Sequence, residues 1–195
     1  QHADAIVDAW YPGESGGTAI AQVLAGDHDP AGRLPVTFYR STRDLPPYVS
    51  YEMDGRTYRY FKGTPLYPFG YGLSYTTFAY ADSSLSTKSL KAGATLKVSA
   101  VVRNTGTRAG DEVAEVYLDA PDVPLAPLQA LVGFQRVHLE PGESRRVEFE
   151  ILPRQLSTVD AAGHRAVVAG RYRVFIGGGQ PVAAPGVGTW FTITG

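Results

Sequence analysis

Pro65-Leu66-Tyr67-Pro68-Phe69-Gly70-Tyr71-Gly72-Leu73-Ser74-Tyr75-Thr76-Thr77-Phe78 divides the chain into two unlike parts. Two prolines three apart fix φ and remove two backbone donors, so the stretch is neither an ordinary helix nor a ladder strand. Its two glycines permit tight turns. Its aromatic rings need a surface to bury them. A flexible linker is rich in Gly and Ser and free of rings. The stretch is therefore expected to be a packed connector, pinned against the bodies on both sides.

Downstream, residues 81–195 carry short strands at the spacing of an all-β domain. Leu96, Val98, Ala100 and Val102 alternate with polar neighbours, as do Val147, Phe149 and Ile151. Ala114, Val116 and Leu118 form an inward set, with Glu115, Tyr117 and Asp119 facing the other way. Leu131, Phe134, Val137 and Leu139 break the period of two, which predicts a bulge. Tyr172, Val174 and Ile176 follow, then Val187, Thr189, Phe191 and Ile193. Asn104-Thr105-Gly106, Glu140-Pro141-Gly142-Glu143 and Asp160-Ala161-Ala162-Gly163 are turn compositions, and Gly177-Gly178-Gly179 reads as the end of a hairpin. The expectation is one complete two-sheet β-sandwich.

Upstream, Ala5-Ile6-Val7-Asp8-Ala9-Trp10 has the look of a short strand buried on both faces. Thr18 to Ala25 reads as a helix with Ala19, Ile20, Val23 and Leu24 on one face and Gly26 as its C-terminal cap. Leu34-Pro35-Val36-Thr37-Phe38 is expected at a sheet edge, where Pro35 is tolerated. One βαβ-like unit cannot cover its own apolar faces, so residues 1–50 are expected to belong to a larger sheet and to expose apolar surface without it. The fold class is thus mainly β: a β-sandwich over 81–195, a connector over 51–80 and a partial α/β unit over 1–50.

In open α/β sheets ligands lie beyond the carboxyl ends of strands. The loop Trp10 to Gly17 occupies such an end, which makes Trp10, Tyr11 and Glu14 candidates for the rim of a polar-ligand site. The plainer reading makes the two rings packing residues and puts Glu14 near a helix start, favoured by its dipole. Gly13-Glu14-Ser15-Gly16-Gly17 also matches the nucleophile elbow G-x-S-x-G, with His164 downstream, so a serine hydrolase using Ser15 is a competing reading. Pro12 stands against it, because the strand should run straight into the motif. In Tyr51 to Phe61, aromatic and polar residues alternate. If that segment is extended, Arg56, Tyr58 and Tyr60 share one side and Arg groups stack on Tyr; Glu52 and Asp54 are candidate ion-pair partners for Arg56 and Arg59, or a carboxylate pair for acid/base work.

The totals narrow the function classes. The 195 residues carry a net charge of −1 and 44% hydrophobic residues, which leaves no electrostatic footprint for nucleic acid and is normal for a chain with a core. There is no cysteine, hence no disulfide and no thiolate chemistry. No apolar run is long enough to span a membrane. Gln1-His2-Ala3-Asp4 lacks the basic start and apolar stretch of a signal peptide, and the chain reads as beginning within something longer. His2 with Asp4, and Asp27-His28-Asp29, lack a recognised ligand spacing, so no metal and no cofactor are expected.

Several of these stretches fall in a familiar order. Tyr11-Pro12-Gly13-Glu14-Ser15-Gly16-Gly17, Gly32-Arg33-Leu34-Pro35-Val36-Thr37-Phe38, Tyr58-Arg59-Tyr60-Phe61 and Pro65 to Phe78 resemble the C-terminal part of a glycoside hydrolase family 3 enzyme of the β-glucosidase/β-xylosidase type. Asn104-Thr105-Gly106, Ala109-Gly110-Asp111-Glu112-Val113, Leu131-Val132-Gly133-Phe134 and Leu139-Glu140-Pro141-Gly142-Glu143 resemble the fibronectin type III-like domain that ends many of them. The resemblance implies a retaining, exo-acting β-glycosidase that removes terminal non-reducing β-D-glucosyl or xylosyl residues, acting on β-linked oligosaccharides or on aryl and alkyl glycosides. It implies a catalytic barrel and the rest of an α/β sandwich packing on residues 1–80, and a periplasmic or secreted setting. Retention needs a nucleophile and an acid/base carboxyl. The family's Asp nucleophile and Glu acid/base both fall upstream of residue 1, so no catalytic residue is carried over; Glu14, Glu52 and Asp54 match family segments without matching those two. A non-catalytic carbohydrate-binding or interaction module, with Trp190 and Tyr117 touching polysaccharide, is the other competing reading.

Overall fold

The computed structural model describes residues 3–195. In chain order the elements are helix α1 (Gly16–Ala25), a single helical turn α2 (Thr57–Tyr60), and strands β1 (Phe78–Leu85), β2 (Ser89–Lys91), β3 (Leu96–Asn104), β4 (Gly110–Asp119), β5 (Ala130–Leu139) and β6 (Ser144–Ile151). A turn α3 (Pro153–Leu156), strands β7 (Thr158–Val159) and β8 (Arg165–Ala166), and strands β9 (Gly170–Gly177) and β10 (Gly186–Thr194) complete the chain.

Two sheets face each other. One has the order β1-β3-β6 and the other β2-β10-β9-β4-β5; β2 runs parallel to β10 and the remaining pairs are antiparallel. The alternating residues meet between them as expected. Leu96, Val98, Ala100 and Val102 face Ala114, Val116, Tyr172, Val174, Ile176 and Phe191 in one continuous apolar core. Each fully buried aliphatic side chain contributes about 1.5–3 kcal/mol, which makes this core the stabilising centre of the chain. The expected bulge is present. Val116 pairs with Gly133 while Tyr117 pairs with Leu131, so Val132 is the extra residue. A second bulge sits in β1, between Ala81 and Ser84, where Asp82 takes a φ of 50°. The turn after β3 is held by Asn104, which is fully buried. Its Oδ1 accepts from Thr76 Oγ1 (2.7 Å) and Gly106 N (3.0 Å), and its Nδ2 donates to Arg108 O (2.7 Å) and Leu139 O (3.0 Å).

The upstream part departs from its sequence reading in three places. Ala5 to Trp10 is not a strand. A doubly buried strand needs neighbours to take its N–H and C=O groups; no described strand pairs with it, and Ile6 and Val7 are exposed. Residues 34–38 do not form a continuous edge strand. They lie alongside 66–71, with one antiparallel bridge between Phe38 and Tyr67 and bonds between Leu34 and the Gly70–Tyr71 backbone. Pro35 supplies no donor between these contacts. Finally, 57–60 is a helical turn, not an extended segment. The helix α1 and its left-handed cap at Gly26 (φ 81°) are as expected.

Candidate functional site

The rim candidates lie on the surface. Trp10 is about half exposed, Tyr11 fully exposed, and Glu14 exposed. Trp10 adopts a φ of 49°, a left-handed conformation that costs a bulky residue energy, and its N–H donates to Asp8 Oδ1 (3.1 Å). Gly16 is required here, because a Cβ at that position meets the Pro12 ring (2.9 Å to Cγ). Ser15 is the N-cap of α1 but makes no capping bond through its side chain. Among the described residues no histidine bonds Ser15. His164 stays within its own turn, with Nδ1 3.5 Å from Asp160 Oδ2.

The connector carries more built structure. Most of its rings are part-buried against one another, although Tyr75 stays exposed: Tyr58 stacks on Phe69 (4.2 Å), and Tyr67 packs against Tyr71 and Phe38. Tyr75 donates its hydroxyl to Val23 O (2.7 Å), with the Arg108 guanidinium 5.6 Å from its ring centre. Asp29, one of the candidate metal ligands, instead accepts from Ser74 Oγ (2.8 Å) and Tyr75 N (2.5 Å). The expected ion pairs of Arg56 and Arg59 with Glu52 and Asp54 do not form. Arg56 donates to the carbonyls of Glu52, Pro47 and Ser50, closing the 47–56 loop, and Arg59 lies 6.0 Å from the Tyr60 ring centre.

Sequence reasoning missed the charged groups beneath the connector. Arg33 is almost fully buried. Its Nη2 donates to Glu112 Oε2 (3.2 Å), its Nε to Gly178 O (3.3 Å), and its Nη1 to Ala31 O and Gly32 O. Tyr80 donates to the other oxygen of Glu112 (3.0 Å). Burial raises the Glu112 carboxyl above the usual range even though Arg33 and Tyr80 pull it down. Burial also raises the Tyr80 hydroxyl, with the Glu112 charge adding to it. Three residues on, Glu115 accepts a 2.5 Å bond from Tyr117, and burial pushes its carboxyl up to about 7. Gly70, at φ 77°, lies directly over this pair; a Cβ there falls 2.5 Å from Glu115 Oε2 and 2.8 Å from Tyr117 Oη. Gln180 ties the same place down, donating to Phe69 O (3.0 Å).

Glu112 and Glu115 are not a converging catalytic pair. Glu112 pairs with buried Val137 and Glu115 with exposed Phe134, so the two carboxylates leave β4 on opposite faces. The arrangement suits a lock between connector and sandwich. Tyr117, read as facing outward, is indeed on the outer face but is fully buried beneath Tyr58 and Gly70, which removes it as a polysaccharide contact. Trp190 remains half exposed, with the Arg171 guanidinium 4.6 Å from its ring centre. The signal for the lock was the connector's own demand for a surface, which the outward residues of a strand meet.

Comparison with known proteins places both parts. Residues 1–75 match the glycosyl hydrolase family 3 C-terminal domain, and residues 112–180 match a fibronectin type III-like domain. The chain is 42% identical to a xylan 1,4-β-xylosidase of Xylanibacter ruminicola over 89% of its own length and 20% of the relative's. It is 40% identical to a periplasmic β-glucosidase of Salmonella typhimurium over 91% and 25%. Among solved structures, β-glucosidase 3B of Thermotoga neapolitana, in complex with α-D-glucose, superposes with a TM-score of 0.82 at 37% identity, covering 94% of this chain and 27% of that one. The chain thus spans about a quarter or less of the curated relatives' length.

Proposed function

The chain belongs to glycoside hydrolase family 3 and matches the C-terminal part of its enzymes, and we propose that it serves as that part of a retaining, exo-acting β-glycosidase. The reaction would remove terminal non-reducing β-D-glucosyl or β-D-xylosyl units. Both catalytic carboxyl groups would come from the preceding barrel and α/β sandwich, and the β-sandwich would brace those parts. The observation that carries this reading is the contrast in burial. The sandwich closes its own core, while Ile6, Val7, Leu24, Tyr48, Val49 and Tyr51 stand half or more exposed. Apolar residues in that number on one segment mark a surface that another body covers. Trp10, Tyr11 and Glu14 lie within that segment, and at the rim of a sugar site they would act as contact residues, with no catalytic part.

The 195-residue chain alone is expected to leave nitrophenyl β-glucoside and β-xyloside intact. Substituted for the matching segment of the Salmonella relative, it is expected to restore turnover that a truncation lacks. Turnover by the isolated chain that disappears on Glu14→Gln or Glu52→Gln overturns the reading. So does a folded, soluble chimera no more active than the truncation. Labelling of Ser15 by a fluorophosphonate would move the assignment to a serine hydrolase.

A further inference from the structure

A cavity of about 350 Å³ opens between the α2 turn and the sandwich, beside α3 and the β7–β8 hairpin. Three of its lining residues are Arg59, Arg154 and Arg165, and no acidic residue lines it. Among the described residues none of the three makes an ion pair, although arginines elsewhere on the sandwich, such as Arg136, Arg145 and Arg171, do. Among the described residues the only hydrogen bond from these guanidinium groups runs from Arg165 Nη1 to Ser157 Oγ (3.0 Å), and Ser157 Oγ in turn donates to Arg154 O (2.6 Å). Apolar residues share the lining, among them Leu125, Leu131 and Val159, together with Tyr60. At the lip, Leu125 holds a left-handed φ of 61° while remaining largely exposed, the kind of backbone outlier that persists where the surroundings fix it.

We propose that this cavity binds a carboxylated sugar, a hexuronate residue of a saccharide. Planar guanidinium groups match a carboxylate by paired N–H donors. The size suits one or two sugar rings. Leu125, Leu131, Val159 and Tyr60 offer apolar contact to the C–H face of a pyranose, and Ser157 and Thr158 lie among the lining residues to meet its hydroxyls. A neutral sugar leaves the guanidinium charge unanswered, and a small carboxylate leaves the apolar lining residues uncovered, so both features together select the acidic sugar. The inference rests on the cavity alone and holds whether or not the catalytic reading above does.

The test is a titration of the full 195-residue chain with D-glucuronate, followed by amide NMR shifts, with D-glucose and acetate as parallel arms. Saturable shifts are expected at residues 59–60, 154–158 and 165, with glucose and acetate each about tenfold or more weaker. The double variant Arg154→Gln/Arg165→Gln removes two exposed side chains, so it is expected to keep the far-UV spectrum of the parent. It is expected to weaken glucuronate about tenfold or more. Acetate binding as tightly as glucuronate would reduce the site to general attraction of anions and overturn the proposal. Glucose binding equally well, no saturable shift at these residues, or a double variant that binds as the parent does would each overturn it too.

Discussion

Replacing Glu115 by Gln separates the charge of a buried carboxyl from its shape. Glu115 is 4% exposed, sits under Gly70 and accepts the Tyr117 hydroxyl. Burial is the main cause of its rise from 4.5 to about 7; the Tyr117 bond and the Arg33 charge offset only part of it, and the Glu112 charge adds to it. Because the folded value lies above the unfolded one, the native state holds the proton more tightly. The stabilisation is complete below about pH 4.5 and is lost as pH rises through about 7. A difference of that size is worth roughly 3 kcal/mol. Glu115→Gln keeps an oxygen acceptor for Tyr117 and cannot ionise. The assay is urea unfolding, followed by tryptophan fluorescence and far-UV circular dichroism, of both proteins across this pH range. Relative to the parent, the variant is expected to gain roughly 3 kcal/mol between about pH 4.5 and about pH 8. The Asp111–His138 pair is the same in both proteins, so its titration cancels. A stability difference that stays flat with pH, or that grows in the parent's favour, refutes the reasoning.

Two further outcomes follow from the same junction. Gly70→Ala forces a side chain into a φ of 77° and onto the Glu115–Tyr117 pair, and is expected to cost roughly 2 kcal/mol or more in the urea midpoint. Arg33→Met leaves Glu112 buried without its cation, which costs about 3 kcal/mol or more at neutral pH; the loss is expected to shrink in acid, where Glu112 takes up a proton, and to show as faster protease cleavage within residues 62–77.

The sandwich was legible because alternation and solvent agree there. Lys97, Ser99 and Arg103 mark the outside of β3, and its inner residues met partners of the same kind. Glu115 and Tyr117 satisfy the same alternation, yet their side of β4 is covered. Period two states which residues share a face, not whether water or the connector lies against it. Strand β1 escaped notice because Asp82 breaks its alternation at a bulge, and β2 is only three residues long. Arg56 to Phe61 alternates as an extended segment would, and nothing in that pattern marks the α2 turn. Its conformation is set from outside: the Tyr39 hydroxyl accepts from Thr57 N (2.8 Å), Arg59 O accepts from Leu128 N (2.7 Å), and the Tyr58 hydroxyl accepts from Leu131 N (3.1 Å). Trp10, Tyr11 and Glu14 were legible as a group on one loop, and their structure adds exposure and a strained Trp10.

The burial pattern also orders the parts by what each depends on. Between Ala3 and Thr77 the buried apolar side chains reduce to Ala31, whereas the sandwich fills its interior from β2 to β10. The connector therefore has no core of its own and takes its shape from the sandwich, through Gly70 over the Glu115–Tyr117 pair and Tyr58 against Tyr117, with Arg33 of the preceding segment beside them. A buried ion pair adds little net stability compared with apolar residues of similar volume. An apolar patch, however, accepts a sliding partner. The Arg33 guanidinium reaches Glu112 Oε2, Gly178 O and two carbonyls of its own segment, and one position of that segment satisfies all of them. Its contribution is registration. Helix α1 is tied to the sandwich through Arg108, which donates to Gly26 O (2.5 Å), and to the connector through Tyr75 and Val23 O. A displaced connector would carry α1 and the exposed apolar segment with it. The polar junction thus fixes where that segment stands, and its apolar surface stays exposed.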